Sequence, residues 1–440
     1  MKQLFILLFL ALGMSSYAQK LSQYDINAPF GWANCTSLTQ GDAYKVTGGA
    51  GGKITGADQK VTGADKKATA AGGEITGEGG KITGGEGGKQ ITLVSDGKDM
   101  RQRIMDAIRD YDIIILDGKG GDFIVSSTMR MKDISNRTIV GINGARVCTQ
   151  FYCSPEIHKM LNDAEVKQFR SVGDGTAFTL SNGHKVREPR EYKIRQMLID
   201  HNNDPKESFR ESGLFNMSGF ENIIIRNLIL VGPGAIDVGG DDLMTATHNT
   251  KHIWIDHCEF IDGMDGNFDI NSKSDFITIS WCIFRYTERT FIHAYTNLIG
   301  ANDNAQFNGE DNLNVTYANC IWDKGCDQRM PMVRFGTIHL LNCLYDCANN
   351  AAAINPRRNS EVFIDRCYFG KDVKNIFRQN EAKAYQFNEN IYTEKFEQPA
   401  DYNKVFIPYK YTGMEAKLLP SVLRASNGAG ATLTDPLKIN

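Results

Sequence analysis

The segment Ile253-Trp-Ile-Asp-His-Cys-Glu-Phe260 is one copy of a pattern that recurs through the middle of the chain. In each copy, a short run of alternating apolar residues is followed by a kink and then by a second short apolar run. Alternation with a period of two, together with many Ile, Val and aromatic residues, indicates β-strands, and the spacing leaves no room for a crossover helix. The further copies are Ile223–Leu230, Ile277–Phe284, Val315–Trp322, Ile338–Tyr345 and Val362–Phe369.

The kinks recur at about the length of one solenoid coil, with longer gaps where loops intervene. We place them at Asn227, Cys258, Cys282, Cys320, Cys343 and Cys367. A unit this short cannot bury its own apolar face, so it must stack on its neighbours. The sequence therefore predicts an all-β fold, a right-handed parallel β-helix.

Composition and the first residues bound the function. The chain has 440 residues and a net charge of −3, which gives no bulk electrostatic reason to expect nucleic acid or an anionic membrane as a partner. Residues 1–18 have the pattern of a secretory signal peptide that is cleaved after Ala18. No later run is long and apolar enough to span a bilayer. We therefore expect a secreted protein, periplasmic or extracellular, and a monomer.

Ten cysteines in an exported protein ordinarily suggest disulfide bonds. Five of them occupy the kink position, however, and we expect these to stack inside the coil as small buried residues. The other five lie outside that position. A pairing of Cys148 with Cys153, or of Cys326 with Cys347, is left open, and Cys35 is the fifth of this group.

The segment before the solenoid is unlike the rest of the chain. Residues 19–90 are a lead-in followed by a Gly-rich repeat of period seven, with copies such as Lys53-Ile-Thr-Gly56 and Lys81-Ile-Thr-Gly84. The glycines exclude a coiled coil. Composition favours a flexible loop over a glycan-contacting or surface-display segment.

Residues 91–440 are expected to form one domain. Its first part, Asp99–Asp110, has apolar residues on one face and predicts a helix that covers the open end of the solenoid. Residues 148–215 interrupt the strand pattern with charged, helix-favouring and Gly-rich pieces, which we interpret as a large excursion from one face. Beyond Gly370 the pattern fades into an irregular tail that is expected to pack back along the coils.

Acidic residues gather around the early coils. Asp242 precedes the second copy of the repeat, and Asp265-Gly-Asn-Phe-Asp269 follows it. Stacked coils would bring these carboxylates together, and three of them on one face suit a hard cation such as calcium, with water completing the shell. The alternative is a solvated acidic loop. For Asp256 and His257, which lie in the strand and its turn, we expect a structural hydrogen-bonding role.

Positive charge follows the fourth copy, in Arg329-Met-Pro-Met-Val-Arg334, and Arg289 lies one coil earlier. Arginine matches carboxylates through its fork of donors. Cations beside a carboxylate-bound metal make little structural sense unless a polyanion lies between them. The sequence therefore predicts an acidic polysaccharide as the partner, although a lone arginine pair is more often a surface salt-bridge partner.

These motifs resemble those of the pectate lyase family, the first family of polysaccharide lyases. The matching segments are Ile223–Leu228, Ile253–Cys258, Asp265–Asp269, Ile277–Ser280 and Arg329–Arg334. The resemblance covers about residues 90–370, and the combination of Trp-Ile-Asp-His with Arg-x-Pro-x-x-Arg is specific. It implies a solenoid of three sheets, with the recurring Asn or Cys at the tight turn between two of them.

The resemblance also implies roles for single residues. The implied residues are the calcium ligands Asp242, Asp265 and Asp269, the catalytic base Arg329, and the substrate-binding residues Arg334 and Arg289. The family has a lysine near the position of Arg289, and arginine keeps the charge but changes the geometry. The segment from Asp242 to Trp254 is about one residue longer than expected, which leaves Asp241 as an alternative first ligand.

The implied activity is that of a calcium-dependent pectate lyase, which cleaves α-1,4-linked galacturonan by β-elimination and leaves a 4,5-unsaturated end. Arginine is normally protonated throughout the accessible pH range, so Arg329 as the base predicts activity that favours alkaline pH. His293 and Lys324 are the alternative bases.

Other activities on the same scaffold stay open, because one fold carries many functions. They are a pectin lyase acting on methyl-esterified polymer, a glycoside hydrolase with Asp265 and Asp269 as acid and base, and a non-catalytic pectin-binding solenoid. The arginine motif beside the aspartates favours the lyase.

Overall fold

The fold is a parallel β-helix, as the repeat predicts, and it has three sheets, as the resemblance implies. The structure is a computed structural model that describes residues 27–48, 88–170 and 173–439. The predicted signal peptide and the copies of the Gly-rich repeat lie outside these residues. Within these ranges, no helix combines the length and the apolar composition that a bilayer span requires.

The strands are short, as a chain that turns several times in each coil requires. In chain order they are β1 (Gln90–Val94), β2 (Ile113–Asp117), β3 (Phe123–Val125), β4 (Met129–Lys132), β5 (Ser135–Ile142), β6 (Arg146–Thr149), β7 (Phe178–Thr179), β8 (Lys185–Val186), β9 (Phe215–Ser218), β10 (Glu221–Arg226), β11 (Ile229–Val231), β12 (Met244–Thr247), β13 (Lys251–Asp256), β14 (Glu259–Ile261), β15 (Phe268–Ile270), β16 (Asp275–Ser280), β17 (Ile283–Arg285), β18 (Leu298–Ile299), β19 (Val315–Ala318), β20 (Ile321–Trp322), β21 (Met332–Val333), β22 (Thr337–Leu341), β23 (Leu344–Tyr345), β24 (Asn355–Pro356), β25 (Glu361–Asp365), β26 (Tyr368–Phe369), β27 (Ala384–Asn388) and β28 (Ile391–Tyr392). The α-helices are α1 (Arg101–Asp110), α2 (Pro155–Asp163), α3 (Pro189–Asn202), α4 (Ala305–Asn308) and α5 (Leu419–Val422).

Each full coil contributes one strand to each of the three sheets. The first sheet runs in the order β1-β2-β5-β10-β13-β16-β19-β22-β25-β27, the second in the order β28-β26-β23-β20-β17-β14-β11-β6-β3, and the third in the order β24-β21-β18-β15-β12-β9-β4. All of these pairings are parallel, and strands β7 and β8 pair separately as an antiparallel hairpin. The prediction that the pattern fades beyond Gly370 was wrong by one coil, because β27 and β28 pair with β25 and β26.

Equivalent residues of successive coils stack into the core. Ile253 pairs with Ile223 on one side and with Ile277 on the other, and all three are fully buried. Burying an isoleucine side chain contributes about 1.5–3 kcal/mol, so the repeat is stabilised mainly between coils. Aromatic rings on the second sheet continue this stacking, with neighbouring centroids 4.6–5.7 Å apart, in the series Phe260, Phe284, Trp322, Tyr345 and Phe369.

The kink itself lies one residue before each cysteine, and its placement at the cysteines was wrong. The left-handed backbone conformation, with φ between 49° and 58°, belongs to Asn227, His257, Trp281, Asn319, Asn342 and Arg366. The next residue in each coil is Leu228 or a fully buried cysteine that points into the core. All ten cysteines lie in the described residues and are free, so neither pairing that the sequence left open is formed.

Helix α1 covers the first coil, as predicted. Ile104 and Ile108 on its buried face, and Met100 just before its first residue, join the same core cluster as Leu93. The backbone N–H of Met100 donates to the carbonyl oxygen of Ile124 at 2.7 Å, which fixes the start of the helix to strand β3. The helix therefore protects the end of the stack from further strand pairing.

The excursion between β6 and β9 contains helices α2 and α3 and forms a core of its own. Ile157, Leu161, Ile194 and Leu198 are buried together there. The same cluster includes Ile236, Val238, Met264 and Phe291, which belong to loops of the solenoid. The excursion is thus packed onto the loops that lead from the second sheet into the third.

Two segments cover the outside of the first sheet. Residues 27–48 lie across it, with the backbone N–H of Trp32 bonded to Thr316 Oγ1 at 3.0 Å and Tyr44 stacked on His252. The C-terminal tail runs back along the coils, and Tyr409 lies 2.7 Å from Thr316 through its hydroxyl group. The expected division at residue 90 separates residues 27–48 from the domain, whereas the structure packs them on it.

Candidate active site

The acidic residues lie in or just before strands β12 and β15 of the third sheet. Asp269 lies in the middle of β15, between the fully buried Phe268 and Ile270, and it pairs in register with Thr245 of β12. Because alternate residues of a strand point to opposite sides, Asp269 points away from the core. Asp242 accepts a hydrogen bond from Thr245 Oγ1 at 3.1 Å, which places it beside Asp269.

The electrostatics of these carboxylates reflect their proximity. Burial raises the pKa of Asp242 well above its ordinary value, and the charges of Asp269 and Asp265 raise it further. Burial also raises the pKa of Asp269 to about 7, although the positive charge of Arg329 opposes this. Buried like charges of this kind are expected where a cation is bound.

The space between the carboxylates depends on a glycine. A Cβ atom added to Gly266 would lie 2.8 Å from Asp269 Oδ1 and 2.9 Å from Asp242 Oδ1. Within the described part of the chain, no three acidic, His or Cys side chains already converge as a metal cage. An open, all-oxygen arrangement that leaves several positions to water or substrate suits calcium, so the donors fit that ion.

The two alternatives for the first ligand have different surroundings. Asp241 accepts hydrogen bonds through Oδ2 from Thr128 Oγ1 and Arg130 Nη2, both at 2.6 Å. Asp241 is therefore paired with Thr128 and Arg130, whereas Asp242 lies beside the carboxylates of Asp265 and Asp269.

Asp265 has a partner that the sequence did not reveal in this role. His293 Nε2 lies 2.9 Å from Asp265 Oδ1, and His293 Nδ1 lies 3.2 Å from Asp237 Oδ1. Burial opposes a charged ring, but the contacts with the two carboxylates outweigh it and raise the pKa of His293. The same contact lowers the pKa of Asp265 despite its burial.

Arg329 lies next to the carboxylates, on the following coils of the third sheet. Its guanidinium stands over the ring of Tyr295, 4.7 Å from the centroid, and its backbone has a φ of 61°. Its charge opposes the burial that raises the pKa of Asp269, and it adds to the effect of His293 that lowers the pKa of Asp265.

Arg334 follows β21 and lies further along the same face. Its Nε donates to Asp303 Oδ1 at 2.8 Å and its Nη1 donates to the carbonyl oxygen of Gly300 at 2.9 Å. Burial and the neighbouring charge of Arg357 lower the pKa of Arg334. A Cβ atom added to Gly300 would lie 2.6 Å from the carbonyl oxygen of Arg334, so this close approach requires glycine at position 300.

Sequence reasoning missed Arg357, although it continues the row of arginines. Pro356 pairs with Val333 in the third sheet, so Arg357 stacks on Arg334 one coil later. Its signal in the sequence was its distance from Arg334, which matches one coil. Because it belongs to no motif, only the stacking register identifies it.

The remaining candidates make contacts with other parts of the chain. The guanidinium of Arg289 lies 5.7 Å from the ring centroid of Tyr152, and its carbonyl oxygen is 2.8 Å from His158 Nε2, so its contacts are with the excursion. Lys324 lines a different cavity together with Arg285 and Glu288.

Comparison with known proteins identifies the family. A family model described as pectate lyase matches residues 171–432, which is more than half of the chain. The chain belongs to the pectate lyase family. Pectate lyase A of Aspergillus niger is 28% identical over 223 residues, which cover 49% of this chain and 64% of that protein. The pectate trisaccharide-lyase of Thermotoga sp. (strain RQ2) is 37% identical over 131 residues, 28% of this chain and 34% of that protein. The chain thus matches less than two thirds of the length of these two relatives.

Solved pectate lyases share the fold. The pectate lyase of Bacillus sp. N165 in complex with trigalacturonate superposes with a TM-score of 0.50 at 17% identity, over 80% of this chain and 97% of that one. An arginine-to-lysine mutant of the Bacillus subtilis pectate lyase also gives a TM-score of 0.50, at 14% identity, over 94% of this chain and 100% of that one. Both comparisons support the three-sheet β-helix.

Proposed function

We propose that the protein is a secreted, calcium-dependent pectate lyase that cleaves α-1,4-linked galacturonan by β-elimination. The observation that carries the proposal is the row of Arg329, Arg334 and Arg357 along the third sheet, beside the carboxylates of Asp242 and Asp269. A face with cations on one side and a cation-binding acidic group on the other fits a polymer that bears a carboxylate on every sugar. Family membership and the trigalacturonate bound to one structural relative agree with this substrate class.

Asp242, Asp265 and Asp269 would hold the calcium ion. Bound there, calcium supplies positive charge that neutralises a uronate carboxylate and acidifies the proton on the adjacent C5 carbon. Arg334 and Arg357 would bind carboxylates of neighbouring sugars through their forks of donors. Binding at several sugars fixes the register of the polymer at the reacting bond.

Arg329 is the proposed base. In its neutral form, Arg329 would accept the C5 proton while the C4–O bond breaks, so that the electron pair of the C5–H bond forms the C4=C5 double bond. The departing oxygen takes a proton from water, and the new end is a 4,5-unsaturated sugar. His293 is less suited to this role, because both of its ring nitrogens face carboxylates.

A glycoside hydrolase is the second candidate, and one observation favours it. Asp269 has a pKa raised to about 7, which is what a general acid requires near neutral pH. A hydrolase would give saturated products and would work in the presence of a chelator. The arginine row has no assigned task in that reaction, so the lyase is preferred.

The test is incubation of the full-length protein with polygalacturonate, with and without a chelator, while the ultraviolet absorbance of unsaturated product is followed. We expect absorbance to rise only when calcium is available. Reducing ends without absorbance would instead establish the hydrolase, and retained but uncut polymer would establish a binding protein. A parallel assay with methyl-esterified pectin separates pectate lyase from pectin lyase.

A further inference from the structure

His293 lies between the acidic residues and the arginine row. Its side chain is 15% exposed, and its backbone φ of 76° falls in the left-handed region that non-glycine residues rarely adopt. The carbonyl oxygen of His293 accepts a hydrogen bond from the backbone N–H of Tyr295 at 2.7 Å. The direction of the imidazole ring is set by the groups that the ring contacts.

On one side, the ring contacts two carboxylates. Asp265 lies 2.9 Å from Nε2, a close ion pair rather than an aligned hydrogen bond, and Asp237 lies 3.2 Å from Nδ1. Asp237 in turn lies 3.5 Å from Arg190 Nη1 of helix α3. Arg190 of the excursion is thus within ion-pair distance of Asp237. Asp237 in turn contacts one ring nitrogen of His293, and Asp265 contacts the other.

On the other side, the same ring packs against the support of Arg329. The centroids of His293 and Tyr295 are 3.8 Å apart, and Tyr295 lies beneath the Arg329 guanidinium. His293 is therefore in contact both with a proposed calcium ligand and with the platform of the proposed base. A displacement of the ring would change the separation between these two groups.

We propose that His293, oriented by Asp237, is a positioning residue that sets Asp265 and Arg329 at the spacing that β-elimination needs. The inference rests on the proposed function, and it assigns His293 no contact with substrate. Residues that orient metal ligands matter nearly as much as the ligands, and their loss weakens metal binding by about 10- to 100-fold. Small displacements of a reacting group also lower turnover strongly.

The test compares His293→Gln with Asp237→Asn in the full-length protein, using calcium titration by calorimetry and steady-state kinetics on polygalacturonate. We expect His293→Gln to weaken calcium binding about tenfold or more and to lower kcat much more than it raises KM. Asp237→Asn keeps the ring and should shift both quantities in the same direction by less. This second variant keeps the test valid if His293→Gln does not fold.

His339→Gln is the matched control, because His339 also lies beside a carboxylate but is fully buried and lies with Tyr409 away from the site. It should lower the melting temperature and leave calcium affinity unchanged. Wild-type calcium affinity and kcat in folded His293→Gln, or a change in melting temperature alone, would overturn the positioning role. Calcium binding by a wild-type protein that does not cleave polygalacturonate would instead remove the proposed function, while the titration arm still reports whether His293 orients Asp265.

Discussion

Arg226 and Asp256 form an ion pair that is completely buried, with Arg226 Nε 2.8 Å from Asp256 Oδ2. They are paired in register on β10 and β13, and they would face solvent if the first sheet were uncovered. Arg226 Nη1 also donates to the carbonyl oxygens of Pro436 and Lys438, so the C-terminal tail covers the pair. Ser280 Oγ donates to Asp256 Oδ1 at 2.6 Å and completes the network.

Removing one partner of this pair should be strongly destabilising. Asp256→Ala leaves a buried guanidinium without its carboxylate, and we expect the free energy of unfolding to fall by about 3–5 kcal/mol. Chemical denaturation measures this change. The matched control is Asp96→Ala, which removes an exposed ion pair with Arg103 and should change stability by less than about 1 kcal/mol. Equal effects of the two variants would contradict the structural role of Asp256.

Calcium affinity should depend on Asp269, which lies in the acidic group, more than on Asp241, which is paired elsewhere. We expect Asp269→Asn to weaken calcium binding by about tenfold or more, because one charged oxygen ligand is lost. The control is Asp241→Asn, one residue from Asp242 but paired with Arg130. Calcium titration of lyase activity and of binding measures both variants. A stronger effect in Asp241→Asn would show that the first ligand is misassigned.

Substitution by lysine should affect kcat and KM differently at the two arginines of the Arg-x-Pro-x-x-Arg motif. Arg329→Lys replaces the planar fork with a flexible ammonium, and loss of the base should lower kcat by about 100-fold or more while substrate affinity survives. Arg334→Lys should mainly raise KM, because the lost contacts are to bound sugar. Near-normal turnover of Arg329→Lys across the pH range would remove Arg329 as the base.

Cys282→Ala should affect stability without affecting chemistry. The thiol is fully buried and lies 3.3 Å from the carbonyl oxygen of Ser280 and 3.8 Å from that of Ile255 on the preceding coil. Truncation leaves a small cavity between coils, and we expect a loss of about 1 kcal/mol in thermal or chemical unfolding. Unchanged melting together with lost activity would mean that the stacked position has another function.

A buried carboxylate away from the site should give the protein a measurable pH dependence. Burial raises the pKa of Asp275 to about 7, although it accepts hydrogen bonds from the backbone N–H groups of Asn314 and Phe276. The native state therefore holds a proton that the unfolded chain has already lost, so stability falls as the pH rises from about 4 through about 7.

Asp275→Asn removes this titration. Relative to wild type, its free energy of unfolding should improve by up to about 4 kcal/mol between about pH 4 and about pH 8. Denaturation at several pH values measures the difference. A difference that does not vary with pH would mean that Asp275 is ionised throughout.

The solenoid was predictable because its strands repeat in the sequence. Ile253 and Ile277, for example, occupy the same position in successive copies of the repeat and pair in register in the structure. The exact kink was not predictable, because a small buried cysteine and a left-handed Asn or His are adjacent and their order is visible only in the backbone. Arg357 was missed because stacking, not a motif, brings it to Arg334. The contact of His293 with Asp237 joins residues from two different loops, and such loop packing leaves no periodic signal.

The C-terminal tail that runs along the first sheet should affect the order in which the coils unfold. A solenoid whose coils contact only their neighbours can lose coils from either end, one after another. Here the backbone N–H of Met414 donates to Asn342 Oδ1 and that of Leu433 donates to Asn227 Oδ1. Arg226 Nη1 donates to the carbonyl oxygen of Lys438. One segment therefore connects late coils to early ones. Fraying of a terminal coil must then release contacts far along the stack. We therefore expect the tail to make the coils unfold together and not one after another.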